Sequence, residues 1–262
     1  MFVSILPEWA CFILTLIFVL FSHEVGYRLG FKKSLKAGEN PSEAAGALSG
    51  TATVMLAFLL AFAFNGAASH NQLRKDLVIE EANAIRTTYQ QSMGLPDPYR
   101  ARIRDLLREY VDIRVNLGQI HGQLRKVDLG RAITRTLAIQ DDLWSLALVL
   151  QKKESSAPMV SAYTQSLGTV FDLHVQRFNA AFRTRLPPVV WAVLYLLAFI
   201  TMAMIGYRVG LSGARSTFIE VGIALAFSLV LFLITSLDRT SGILRATQQP
   251  LIDLLSMIRG GG

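Results

Sequence analysis

Apolar residues gather at the two ends of the chain, in four stretches that are each long enough to cross a hydrocarbon core about 30 Å thick. The middle instead mixes apolar and charged positions with a helical period. The first apolar stretch runs from about Pro7 to Tyr27, the second from about Ala44 to Ala68, the third from about Pro188 to Tyr207 and the fourth from about Thr217 to Leu237. Pro7 and Pro188 suit the first turn of a helix, where a missing N–H costs nothing. Trp9, Tyr27 and Trp191 stand near stretch ends, as interfacial anchors do. Short loops join the first stretch to the second and the third to the fourth. The pattern therefore predicts an all-α membrane protein: two transmembrane hairpins (residues 1–68 and 187–237) with a helical soluble domain (69–186) between them, and a C-terminal tail (238–262).

In the middle, Gly and Pro are scarce and no stretch alternates with period two. The helix of the second span is expected to continue without a breaker to about Met93, roughly 75 Å counted from Ser42 at about 1.5 Å per residue. Gly94-Leu95-Pro96 ends it. Asp97-Pro98 then opens a second helix, with an acid at the N-cap and proline at the first position. That helix carries Ile103, Leu106, Leu107, Tyr110, Ile113 and Leu117 on one side and Arg100, Arg104 and Arg108 on the other, the signature of a bundle helix. Gly118 and Gly122 mark a break. Further helices are expected over about Leu129–Lys153 and Met159–Arg185, with a turn over Glu154–Pro158. No internal repeat is evident.

Charge sharpens this picture. The chain of 262 residues carries a formal net charge of +7, but no run of five like charges occurs and acids are interleaved with bases in the middle helices. That is the flanking charge of membrane helices and not a nucleic-acid footprint. No Lys or Arg precedes the first apolar run and no cleavage pattern follows it, so it is read as a retained helix and not as a signal peptide. Orientation is not decided by charge: Arg28, Lys32, Lys33, Lys36, Arg208 and Arg215 on the short-loop side face Arg74, Lys75, Arg177, Arg183, Arg185, Arg239 and Arg245 on the other, six against seven. The single cysteine, Cys11, lies in an apolar run and reads as a small buried side chain.

Candidate chemistry is sparse. His23, His70, His121 and His174 share no face at ligand spacing, and no HExxH, CxxC, GxSxG or phosphate-loop pattern occurs. No metal centre, cofactor or enzymatic activity is expected. In the second span, Gly46 and Gly50 form a GxxxG pair and Ala57 and Ala61 repeat the small-residue spacing, which favours close helix packing in lipid. Phe58, Phe62 and Asn65 follow at helical spacing, with Phe64 on a different face. They read as an apolar packing stripe or, more sharply, as a pore constriction that gates by dewetting. Beyond the span, Asp76, Glu80, Glu81 and Asn83 cluster. Glu81 lies four residues from both Leu77 and Ile85, on the apolar stripe. Glu80 and Glu81 have no Lys or Arg three or four residues away, so their counter-charges are expected from another helix, another subunit, an ion or water, with the helix bearing Arg100 to Arg108 as the foremost source. They read as an inter-helix bridge or a gating contact. Glu220, His23 and Glu24 lie at span ends, where snorkelling is open to them.

The segments GALSG…LLAFAFNGAAS, LVIEEANAIRTTY and LPDPYRARIRDLLREYVDIR, covering about Gly46 to Arg114, resemble the bestrophin-like family of bacterial membrane proteins. The remainder matches that family in layout. The resemblance implies a distant likeness to bestrophins, pentameric anion channels whose second membrane helix lines the pore and carries an apolar neck. It would place Phe58 and Phe62 at a neck, the middle domain and termini in the cytoplasm of a bacterial inner membrane, and the chain in a homo-oligomer passing small ions. The acidic calcium clasp of animal bestrophins is not found here, so calcium gating does not carry over. The leading expectation is thus a homo-oligomeric ion channel, passing anions, whose partners are the lipid bilayer, copies of itself and small ions, with no nucleic acid. A membrane-anchored scaffold or sensor and a small-solute transporter are the alternatives.

Overall fold

The computed structural model describes residues 7–37, 43–119, 126–154, 157–182, 184–213, 216–239 and 246–260. His121, Gly122, Arg183, Arg215 and Arg245, and the side chain of Lys36, lie outside what is described, as does part of the expected turn after Glu154. The described residues form eight helices and no strand: α1 (Glu8–Ala37), α2 (Glu43–Ser92), α3 (Tyr99–Gln119), α4 (Lys126–Lys153), α5 (Pro158–Phe182), α6 (Pro188–Ser212), α7 (Thr217–Asp238) and α8 (Gln249–Gly260). Four of them, α1, α2, α6 and α7, are long and apolar enough to cross a membrane.

α1 outruns its expected end at Tyr27 by ten residues, because Leu29 and Phe31 keep the stretch apolar and the lysines after them are good helix formers. α2 runs 50 residues without a break. Pro188 opens α6, and Gly213, in the left-handed conformation at φ 68°, closes it with an N–H donated to the Val209 carbonyl.

The chain divides into two compact units: residues 1–71 with 185–245, and residues 72–184 with 246–262. In the first unit the tightest packing joins α1 to α6, which run in the same direction. A Cβ on Gly26 would stand 1.8 Å from the Ala203 carbonyl oxygen, and one on Gly206 would stand 2.1 Å from that of His23. Gly30 and Gly210 repeat the contact one turn on, against Tyr207 and Tyr27. Two short segments, GYRLG (26–30) and GYRVG (206–210), thus lie side by side at the same height. α7 packs on α1 through Phe12 and Phe232, whose rings meet edge to face at 5.6 Å. One face of α2 (Leu56, Leu60, Ala63, Ala67) packs on Leu194 and Ala198 of α6 and on Leu231 and Ile234 of α7.

The second unit is a bundle of α3, α4 and α5 with the latter part of α2 and with α8. Ile85, Ile103, Leu107, Ile139, Leu143 and Leu167 lie at its centre and are shut off from solvent. Residues 249–260, within the expected C-terminal tail, are an amphipathic helix whose Leu251, Leu254, Leu255 and Ile258 complete this core. Arg259 binds Asp112 of α3 at 2.6 Å, and Arg108 donates from Nε to the Ile258 carbonyl at 3.2 Å. Between α3 and α4, Arg135 holds Glu109 by two bonds of 2.6 Å.

Candidate functional site

In the first unit, α2 has one buried face and one open face. Gly50, Ala57, Phe58, Ala61, Phe62 and Asn65 all stand on the open side, with Phe58 73% and Phe62 64% exposed. An apolar face left without a partner inside the chain must be met by lipid, by another copy or by a narrow lumen. Among the described residues a Cβ on Gly50 would have nothing within 4 Å. Gly46 differs, for the Arg208 guanidinium lies beside it, 3.6 Å from where a Cβ would stand, and donates from Nη1 to Ser49 Oγ at 3.0 Å. A close backbone contact does occur between α1 and α6. Its signal in the sequence is the GYRxG segment, which occurs twice. Glu24, at the end of the first span, is held by Arg28 at 2.7 Å.

In the second unit the acidic group divides. Glu80 and Asn83 are exposed on one side of α2, whereas Glu81 is fully buried on the other. Its counter-charge comes from other helices, but not from the Arg100–Arg108 face. Arg114, farther along α3, stands with Nε 3.2 Å from Glu81 Oε1 and donates from Nη2 to Oε2 at 3.3 Å. Arg177 of α5 donates from Nη1 to Oε2. Arg104 and Arg108 turn instead to the Tyr89 hydroxyl, at 2.7 to 3.2 Å, and Arg100 pairs with Asp97. The reason is geometric: Arg114 falls four residues after Tyr110 and seven after Leu107, on the side of α3 that faces Glu81, while Arg104 and Arg108 lie half-buried on the side that faces Tyr89.

Three neutral groups finish the cluster. The Tyr110 hydroxyl donates to Glu81 Oε1 at 3.2 Å and lies 3.1 Å from His174 Nδ1, and Arg177 Nη2 donates to Gln248 Oε1 at 3.1 Å. Burial opposes ionisation of Glu81, but the charges of Arg114 and Arg177 and their hydrogen bonds outweigh it and hold the carboxyl below its ordinary value. Burial first, and then the Arg114 charge, push the His174 imidazole down to about 4. Burial likewise raises the Tyr110 phenol well above its usual value. At neutral pH the cluster is therefore one carboxylate between two guanidiniums, joining α2, α3 and α5. The sequence holds a sign of these partners. Arg114 and Arg177, like Glu81, occupy core positions of otherwise apolar stripes, Arg177 lying four residues after Leu173 and seven after Val170. Among the described residues no three His, Cys, Asp or Glu side chains gather as metal ligands would.

Comparison with known proteins adds to this geometry. Residues 14–250 match the Bestrophin-like domain. Among solved structures, a mutant of a bacterial bestrophin homologue from Klebsiella pneumoniae aligns with a TM-score of 0.65 at 13% identity, covering 95% of this chain and 96% of that one. A crystal structure of a mutant described only as a membrane protein aligns at 0.68 and 14% identity, over 95% and 96% of the two chains. At such identities these two show a shared fold. No curated protein matches.

Proposed function

The chain belongs to the bestrophin-like family, and on that premise we infer that it is a homo-oligomeric ion channel whose pore is lined by the open face of α2. The observation that carries this is the one-sidedness of α2. In each unit one side of this helix is packed, and the other side is exposed among the described residues. A lumen cannot be enclosed by one such face, so copies must be arranged around a common axis. The apolar rings of Phe58 and Phe62 on that face supply a constriction of the dewetting kind, and Asn65 follows as the first polar group beyond it. The Glu81 cluster keeps the latter part of α2 fixed to α3 and α5, so that its open face has a defined direction within the bundle. Following the resemblance, the second unit and the termini are placed in the cytoplasm of a bacterial inner membrane.

The ion's sign is a separate matter. The resemblance implies anions. The middle of the open α2 face in the second unit, however, runs Gln72, Asp76, Asn83, Thr87, Gln90, with a carboxylate and no basic side chain. A ring of such carboxylates favours cations.

Liposomes holding the purified protein test the reading. Wild type is expected to pass ions, and Phe58→Ala with Phe62→Ala is expected to raise the flux by widening the constriction. A reversal potential measured in a KCl gradient then reports the sign, with Asp76→Asn showing whether that carboxylate sets it. If neither K⁺ nor Cl⁻ moves through wild type or the double variant, the channel reading is wrong.

A further inference from the structure

We propose that the two flanks of α2 in the second unit are matching halves of a subunit interface, with Lys75 of one copy meeting Glu80 of the next. The proposal rests on the pore reading above, because it asks what lies beside a helix whose open face lines a shared axis.

From Gln72 to Ser92, α2 buries Leu77, Val78, Glu81, Ala82, Ile85 and Thr88 along one side. The opposite side is open, and its middle is the polar line already described. To one edge of that line stand Lys75, Ile79 and Arg86, spaced four and seven residues apart, and to the other stand Leu73 and Glu80, seven apart. Each edge therefore combines an apolar group with charge: Ile79 with two bases on one, Leu73 with a single acid on the other. Ile79 is 48% and Leu73 44% exposed. Among the described residues Lys75, Glu80 and Arg86 make no hydrogen bond or ion pair within the chain. Isolated charges of this kind on a solvated surface contribute little to stability.

Three features point to a second copy of this chain and not to an unrelated partner. The two edges are opposite in sign, so one complements the other. Copies inserted in one membrane share an orientation, which makes their α2 helices parallel and brings one edge of each helix beside the other edge of the next around a ring. The offset also fits: parallel helices packed side by side pair a residue on one flank with the residue five positions on from the neighbouring helix, and Glu80 follows Lys75 by five. A heterologous contact of this kind closes into a ring when repeated.

The test is a zero-length cross-link. The protein, in detergent or native membrane, is treated with a carbodiimide, which joins an amine to a carboxylate in contact with it, and is run under denaturing conditions. Linkage of these two groups within one chain is not expected, since they lie about 140° apart around the helix. The expected result is an interchain product with a ladder of higher multiples, reduced in the single variants Lys75→Ala and Glu80→Ala. A parallel arm uses charge: Lys75→Glu or Glu80→Lys alone weakens the assembly on size-exclusion chromatography, and the double exchange restores it. Protein that conducts ions but gives no Lys75–Glu80 linkage, or linkage no greater than the single variants, overturns this interface and leaves the channel intact. Protein that is monomeric and silent in flux overturns both.

Discussion

A carboxylate shut off from bulk solvent is stable only while its counter-charges hold, and Glu81 has two of them, Arg114 and Arg177. Removing one partner of a buried pair leaves uncompensated charge and costs about 3–5 kcal/mol. Glu81→Ala is therefore expected to lower the unfolding midpoint of the detergent-solubilised protein by far more than Glu80→Ala, whose side chain is exposed. The same measurement carries a pH signature. His174 is neutral when folded down to about 4, against 6.5 for the free side chain. Between those values the unfolded chain takes up a proton that the folded one refuses, so stability is whole above pH 6.5 and falls as the pH drops towards 4. Glu81, with its folded value lowered, contributes stability above 4.5 that is lost as the pH falls farther, in the same direction. A midpoint that stays flat across this range would show that His174 is not held neutral. The burial of Glu81 is legible from its place between Leu77 and Ile85. Its partners are signalled only as arginines set on apolar stripes, and that these two reach it depends on how α3 and α5 pack against α2.

At the level of helices, the spans are legible from length and apolarity, since nothing else accommodates such stretches. Which helices touch is not. Small-residue spacing draws attention to Gly46, Gly50, Ala57 and Ala61, yet inside the chain the backbones come closest where Gly26 and Gly30 face Gly206 and Gly210. Spacing identifies a helix able to approach another, but it does not name the neighbour. Gly206→Val would drive a branched side chain into the His23 carbonyl, and overpacking of that kind costs about 1–3 kcal/mol or more. The yield of monodisperse protein in detergent should drop sharply for this variant and hold for Gly222→Val, where the added Cβ would have nothing within 4 Å. Comparable yields would mean that α1 and α6 are not so close. α8 is hard to see for a simpler reason. Its Leu251, Leu254, Leu255 and Ile258 follow the amphipathic spacing, but twelve residues are few beside the neighbouring spans.

For the molecule as a whole, neither unit is one continuous length of chain. Residues 72–184 need 246–262 to complete their core, and the last two spans lie between those segments in the sequence. α8 is thus far from its partners along the chain and in contact with them in space, which no local pattern could announce. Truncating a buried leucine to alanine costs about 2–5 kcal/mol. Leu254→Ala is expected to lower the unfolding midpoint clearly, whereas Met257→Ala, on the open side of the same helix, leaves it nearly unchanged. Two variants that unfold alike would mean that α8 is not docked as described. The interleaving also imposes an order on synthesis. As the ribosome delivers the chain from its N-terminus, the bundle of α3, α4 and α5 emerges well before the helix that closes it. It has to stand part-built, with greasy surface uncovered, until α6 and α7 have been made, so a nascent chain stalled before α8 is the form most in need of a chaperone.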